Sequence, residues 1–335
     1  LGLKLELITM QSNDPQTGDS ERESRLEALA DEWLAGNQSA ADADYVRAEP
    51  RGEPTLAELL DRLAGAPAAL GMHHFSLFSD LSREETTLVR RQWTTIPVER
   101  RREVVRYLVD LSEEDLTLRL GRFLRIALAD PDSETRRIAI EGWWAETETD
   151  LIGPLVQILH NDDDFRTRAA AAAALGAYVL AGELEEIDSA LAMRAEEALL
   201  AIALRESEPV TVRCSALESL AYSGEIGIRQ LIEDAYYAPE EEMRVSALNA
   251  MGRSADVRWR GLARAELQNP DPIMRAAAAR ACGELEAKAA LDELTELVSD
   301  DDVDVRISAI LALGRIGGKD ARELLETMRL SDDPD

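Results

Sequence analysis

From Asp132 onward, small and branched apolar residues recur with the period of an amphipathic helix. The whole pattern then returns every 31 or 32 residues, with one step of 45. Counting back from Arg306, arginine stands at Arg275, Arg244, Arg213, Arg168 and Arg136. Three residues after each comes alanine: Ala139, Ala171, Ala216, Ala247, Ala278 and Ala309. Seven after come Trp143, Leu175, Leu220, Met251, Cys282 and Leu313, and the next position is Gly176, Gly252, Gly283 or Gly314 in four of the six copies. Four before the arginine is an acid in five copies (Asp132, Asp164, Glu240, Asp271, Asp302), with Pro209 in the sixth.

Each copy reads as two helices joined by a turn. In the last one these are Ala287–Val298, the turn Ser299–Asp302, and Val303–Arg315. Positions plus three, four, seven and eight share one face, where alanine admits a close neighbour and glycine suits a close approach or a helix end. A single hairpin cannot bury that face, so neighbours must stack. The expected fold is all-α, a right-handed α-solenoid of about seven stacked helical pairs. Arg136, Arg168, Arg213, Arg244, Arg275 and Arg306 read as a structural ladder rather than as phosphate binders. They are expected to pair with acids within or between repeats; where an acid stands four residues earlier an i,i+4 pair is expected, Arg275 with Asp271 for example.

Ahead of the repeats the pattern is less regular. Residues 1–20 read as a disordered tail, with Met10 a candidate natural start. Residues 21–54 hold a short amphipathic helix, Glu21–Ala35, and a linker; Leu26, Leu29, Ala30, Trp33 and Leu34 line one face of that helix. It is read either as a cap on the first repeat or as a tethered docking helix. Residues 55–110 form capping helices and a degenerate first repeat, with capping boxes at Thr55/Glu58 and Ser82/Glu85. Residues 111–330 are the repeat solenoid, closed by a more charged last helix, Lys319–Leu330, and residues 331–335 are a tail. The long step is expected to form a surface loop over residues 181–190 and to lengthen the helix that follows, Ala190–Arg205.

With the motif Asp-x-x-x-Arg-x-x-Ala-x-x-x-Leu-Gly at Asp164–Gly176 and Asp302–Gly314, and at Asp271–Gly283 with Cys282 in the leucine place, the chain resembles HEAT-repeat proteins. The short repeat is that of the HEAT-like units named after phycobilisome bilin lyases. The resemblance covers about residues 115–330. It implies the solenoid fold and leaves function open among scaffolds, lyases and DNA glycosylases.

Charge and composition narrow those classes. The chain has 335 residues, of which 45% are hydrophobic and only 4% aromatic, and a net charge of −29. Such a charge opposes nucleic-acid backbones and anionic membranes, though it also has a bland source in arginine-rich, acidic composition. Only three lysines occur, Lys4, Lys288 and Lys319. Cys214 and Cys282 fall at packed helix positions and read as core thiols of a cytoplasmic protein. The local excess of arginine from Arg83 to Arg106 reads as helix-surface residues paired with nearby glutamates. No catalytic residue, cofactor or metal site is expected. His74 precedes Phe75 and His160 precedes Asn161, so the His-Glu dyads of HEAT-like deoxyhypusine hydroxylases do not occur. Asp162–Asp164 and Asp300–Asp302 lack the spacing of a calcium loop and read as helix-opening acids.

The leading functional reading is a non-catalytic interaction scaffold, with a protein or peptide partner in the concave groove. The alternatives are a bilin or tetrapyrrole lyase or chaperone and, below it, a DNA repair factor. No nucleic acid or membrane partner is expected, and the oligomeric state is open. In HEAT superhelices the second helices line the concave face, which points to positions plus five and plus nine. The candidate contacts are Glu218, Tyr222, Asn249, Arg253, Arg280 and Arg315, with Trp144 as an apolar anchor at the other end.

Overall fold

A computed structural model describes residues 54–65, 72–115, 117–142, 148–319 and 321–322. All regular structure among them is helical. The helix expected over Glu21–Ala35, Trp33, the Trp143–Trp144 pair and most of the expected helix Lys319–Leu330 lie outside the described residues. The chain divides into two compact units, residues 1–146 and 147–335.

In the first unit, α1 (Leu56–Ala64) and α2 (Arg83–Gln92) open with the expected capping boxes. Thr55 and Ser82 each accept from the N–H three residues on, and Glu58 and Glu85 reach back. Between them, Met72–Phe78 forms 3-10 turns that bury Phe75 and Phe78. α3 (Val98–Glu114) follows Pro97, then α4 (Gly121–Ala127) and α5 (Ser133–Glu141). Phe78, Trp93 and Phe123 form an aromatic centre, with ring centroids 4.7 to 6.4 Å apart.

Beside the rings sits a buried ion pair. Asp130 Oδ2 accepts from Trp93 Nε1 at 2.6 Å and from Arg101 Nε at 2.7 Å, and Oδ1 accepts from Arg101 Nη2 at 3.1 Å. Arg101 also donates to Ile96 O at 2.6 Å. Arg100 closes the C-terminal end of α1 by donating to Leu63 O and Gly65 O, and Arg102 grips Asp132 through two bonds of 2.8 and 2.6 Å. Three consecutive arginines of the local excess are thus bound to unit 1 itself. Arg106 makes a fourth contact, to Glu134 at 3.2 Å.

The second unit is five helical pairs: α6 (Ile152–Asn161) with α7 (Phe165–Glu183), α8 (Ser189–Ala203) with α9 (Val210–Leu220), and α10 (Ile226–Tyr236) with α11 (Glu241–Arg253). Then come α12 (Arg260–Ala265) with α13 (Pro272–Glu284) and α14 (Leu291–Leu297) with α15 (Val303–Ile316). The second helices α7, α9, α11, α13 and α15 pack one on the next in a row, and each first helix lies against its own partner. Buried on that row are the invariant alanines Ala171, Ala216, Ala247, Ala278 and Ala309. The 45-residue step does not make a loop of residues 181–190. It lengthens α7 and α8 and leaves only Leu184–Asp188 between them. Ala181 is buried inside α7, and Gly182 abuts Ala192 of α8, so deleting Gly182–Glu186 removes packed helix rather than slack chain.

Two repeat glycines behave oppositely, because one faces a neighbour. A Cβ on Gly283 would stand 2.8 Å from Ala312 Cα and 3.0 Å from its Cβ, whereas one on Gly314 would meet nothing within 4 Å. We expect Gly283→Val to force α13 and α15 apart and cost about 1–3 kcal/mol, as overpacking does. Gly314→Ala should instead gain up to about 1 kcal/mol of helix propensity. Denaturant midpoints of the two variants moving in the same direction would refute this assignment of faces.

Candidate partner-binding surface

The acid four residues before each arginine turns out to be an N-cap. Asp132, Asp164, Asp271 and Asp302 accept from backbone N–H groups of the first helical turn. The arginines reach elsewhere. Nη1 of Arg136, Arg168, Arg244, Arg275 and Arg306 donates to the carbonyl six residues back, at 2.6 to 3.2 Å. This closes the turn between the two helices of a pair. The other edge can cross to the following pair: Arg168 Nε to Glu208 at 2.6 Å, Arg213 to Glu240 at 3.5 Å, and Arg275 to both oxygens of Asp300 at 2.9 and 2.7 Å. The expected Arg275–Asp271 pair is therefore replaced by Arg275–Asp300, since a helical i,i+4 partner is already occupied in capping. Asp300 also receives the N–H of Asp302, as Asp130, Asp162 and Asn269 receive the equivalent N–H. That position, six before the arginine, was a readable repeat signal that the pattern analysis missed.

Of the expected contact residues, five fall on successive helices of the row and Tyr222 in the turn just after α9, and the six gather into one polar stripe; the seventh, Trp144, lies outside the described residues. Glu218 on α9 meets Arg253 on α11 at 3.0 Å and accepts from Asn249 Nδ2 at 3.2 Å. Arg315 on α15 meets Glu284 on α13 at 3.4 Å, and Arg280 donates to Ser308 Oγ at 3.3 Å. Tyr222 stands beside Arg253 and Glu284. All are half-buried, because small residues at the neighbouring positions let the helices come close. Glu284 and Ser308 complete the stripe. The signal for Ser308 was the recurrence of serine two residues after the arginine, at Ser215, Ser246 and Ser308.

Electrostatics of the stripe follow from burial. Desolvation pushes the Glu284 carboxyl and the Tyr222 hydroxyl up. Desolvation also works against the Arg253 cation, but Glu218, Tyr222 and Glu284 outweigh it and its pKa rises. Arg280 goes the other way: burial lowers its pKa against the pull of Glu284 and Glu218. The reason is geometric, since both carboxylates are already bonded to Arg253, Asn249 and Arg315. Among the described residues Arg280 has no ion pair, so a planar fork of donors remains free on this surface.

Residues 262–335 match a family model of HEAT repeats. That span covers α13–α15, where the arginine, alanine and glycine positions are most regular. No curated protein matches the chain. Among solved structures, YibA of E. coli is similar at 17% identity over 80% of this chain and 94% of its own, with a TM-score of 0.44. Human deoxyhypusine hydroxylase shows 16% identity over 78% of this chain and 95% of its own, at a TM-score of 0.34. Importin beta shows 13% identity over 77% of this chain and 40% of its own, at 0.40. One concavity of about 290 Å³ lies off the stripe, lined by Ser223, Gly224, Ile228, Arg229, Ile232, Ser254, Asp256 and Arg258. Its two arginines both pair with Asp256. Among the described residues no group of three or more His, Cys, Asp or Glu side chains is placed to hold a metal ion, and no helix is long and apolar enough to cross a membrane.

Proposed function

We propose that the protein is a non-catalytic scaffold that binds a protein or peptide partner along the second-helix row of its HEAT repeats. The observation that carries this reading is the stripe from Glu218 to Arg315. Four successive helices present hydrogen-bonding side chains there, held in place by bonds to one another, with the Arg280 fork unspent. Preorganised arginine and tyrosine side chains in half-desolvated surroundings are the usual anchors of protein interfaces. Arg280 offers two parallel N–H groups, the geometry that suits a carboxylate of the partner. A cytoplasmic setting agrees with the buried, unpaired thiol of Cys282, which desolvation pushes up to about 12 and so keeps unreactive.

A photo-reactive side chain placed at Asn249 should cross-link the partner in extracts of the native host, whereas the same probe at exposed Glu233 on α10 should not. Arg280→Gln, which removes the fork without adding a carboxylate beside Glu218 and Glu284, should reduce that cross-link several-fold with little change in melting temperature. Equal labelling from both positions, or labelling indifferent to Arg280→Gln, would place the binding surface elsewhere.

A further inference from the structure

Position plus five holds Glu218, Asn249 and Arg280 on three successive second helices, α9, α11 and α13. Adjacent helices of such a row stand about 8–10 Å apart, so these side chains recur at about that interval across the stripe. Their bonding is uneven. Both oxygens of Glu218 are taken, one by Arg253 at 3.0 Å and the other by Asn249 Nδ2 at 3.2 Å. Asn249 thus turns its amide donor toward α9, and among the described residues nothing donates to its Oδ1. Arg280 spends one N–H on Ser308 Oγ at 3.3 Å and keeps the rest of its fork. One helix therefore offers an acceptor and the next offers paired cationic donors.

Apolar anchorage is missing from the same surface. At positions plus one, two, five, six and nine of α9, α11 and α13 no large apolar side chain is exposed, and the one aliphatic residue there larger than alanine, Val245, is half-buried. An amphipathic helix docks by sinking apolar residues spaced i, i+3, i+4 and i+7 into a hydrophobic groove. Its interior N–H groups are already bonded within the helix, so its backbone has nothing to give Asn249 Oδ1. An extended chain keeps its backbone N–H groups free. It also advances about 3.1–3.4 Å per residue, so about three residues span one helix-to-helix step. A helix, rising about 1.5 Å per residue, needs about six.

Building on the partner-binding role proposed above, and resting on it, we infer that the stripe takes an extended partner segment that crosses the second helices at about three residues per repeat. An aspartate or glutamate of that segment sits on Arg280, and the backbone N–H three residues away donates to Asn249 Oδ1. One acid is specified because Arg253 and Arg315 are already held by Glu218 and Glu284, whereas among the described residues Arg280 has no ion pair. A polyacidic tract does not fit. Glu218 and Glu284 both stand near Arg280, so further acids on either side of the first would meet a carboxylate.

The test uses the full chain and a library of random twelve-residue peptides displayed on phage, selected on the wild type and counter-selected on Arg280→Gln. Enriched peptides should share one Asp or Glu and lack an i, i+3, i+4, i+7 apolar pattern. An enriched sequence, made with a fluorescein label, should bind the wild type at least five-fold more weakly when its acid becomes the amide, and Arg280→Gln less than two-fold more weakly. Proline three residues from the acid, on one side of it, removes the bonded N–H and should weaken binding at least five-fold. Proline at the two residues between should change it less than two-fold, because an extended chain accommodates proline and a helix does not. Loss of binding with proline at every position, or an apolar helical pattern, would overturn the inference. So would the absence of any sequence enriched on the wild type over Arg280→Gln. If the cross-link from Asn249 in host extracts persists in any of those cases, the stripe still binds its partner and only the extended segment is refuted. If that cross-link is absent as well, the partner-binding role falls with it.

Discussion

Replacing Asp130 with Ala should cost about 3–5 kcal/mol, the largest single-residue effect expected in this protein. The carboxylate is fully enclosed and the Arg101 side chain only 7% exposed. Its removal leaves a guanidinium with only the Ile96 carbonyl as partner, and orphans the Trp93 indole N–H and the Asp132 amide. Each buried donor so stranded adds about 1–3 kcal/mol of desolvation cost before relaxation. Changing Arg101 to Met together with Asp130 to Leu should cost clearly less than Asp130→Ala alone, because no buried charge is then left uncompensated. Denaturant unfolding should show the loss as a lower midpoint in Asp130→Ala, with the double replacement falling between it and the wild type. A midpoint within error of the wild type would show that water reaches Arg101.

Arg275→Ala comes next, at about 2–4 kcal/mol. The side chain is 17% exposed and its Asp300 partner 10%. It joins three things at once: the turn carbonyls of Asn269 and Pro270, and Asp300 ahead of α15. Truncation therefore loosens a turn and a contact between pairs together. The Arg275 hydrogen bond holds the Asp300 carboxyl below its usual range, against the opposing effect of burial. A depressed carboxylate contributes stability above its unfolded pKa of about 3.9 and loses it as the pH falls through the lower folded value. The gap in unfolding free energy between wild type and Arg275→Ala should accordingly be full at pH 7 and shrink below about pH 4. A gap that stays constant into acid would mean the carbonyl bonds alone matter. Asp271→Ala should behave differently, losing about 1 kcal/mol as an N-cap does, with Arg275 still bound to Asp300.

Much of this was readable from local pattern. The positions of Ala278 and Gly283, the acid that opens each second helix and the two capping boxes depend only on helical periodicity and on backbone groups within a few residues. A sequence states such relations directly, so the helices of residues 210–316 lie close to where the repeat placed them. The same reasoning gathered Glu218, Asn249, Arg253, Arg280 and Arg315 on one stripe, because residues at fixed repeat positions must line up once identical units stack.

Relations between units were not readable in that way. A carboxylate four residues from an arginine satisfies the helical pairing rule, and nothing local says that Asp271 is spent on capping while Asp300, 25 residues on, takes the guanidinium. Of the long step, the lengthened α8 was legible in its helical pattern, but residues 181–183 were indistinguishable from a loop until α7 was seen to run on to Glu183, burying Ala181 and setting Gly182 against Ala192 of α8. Which glycines are crowded and which are open, Gly283 or Gly314, depends on what packs across each of them. The sequence by itself determined the helices, their caps and the repeat that obliges them to stack, since those follow from periodicity and neighbours along the chain. Tertiary structure alone decided which charges meet and, among the described residues, which arginine is left with a free fork. Those depend on distances across the stack, where burial raises the stakes of every unpaired group.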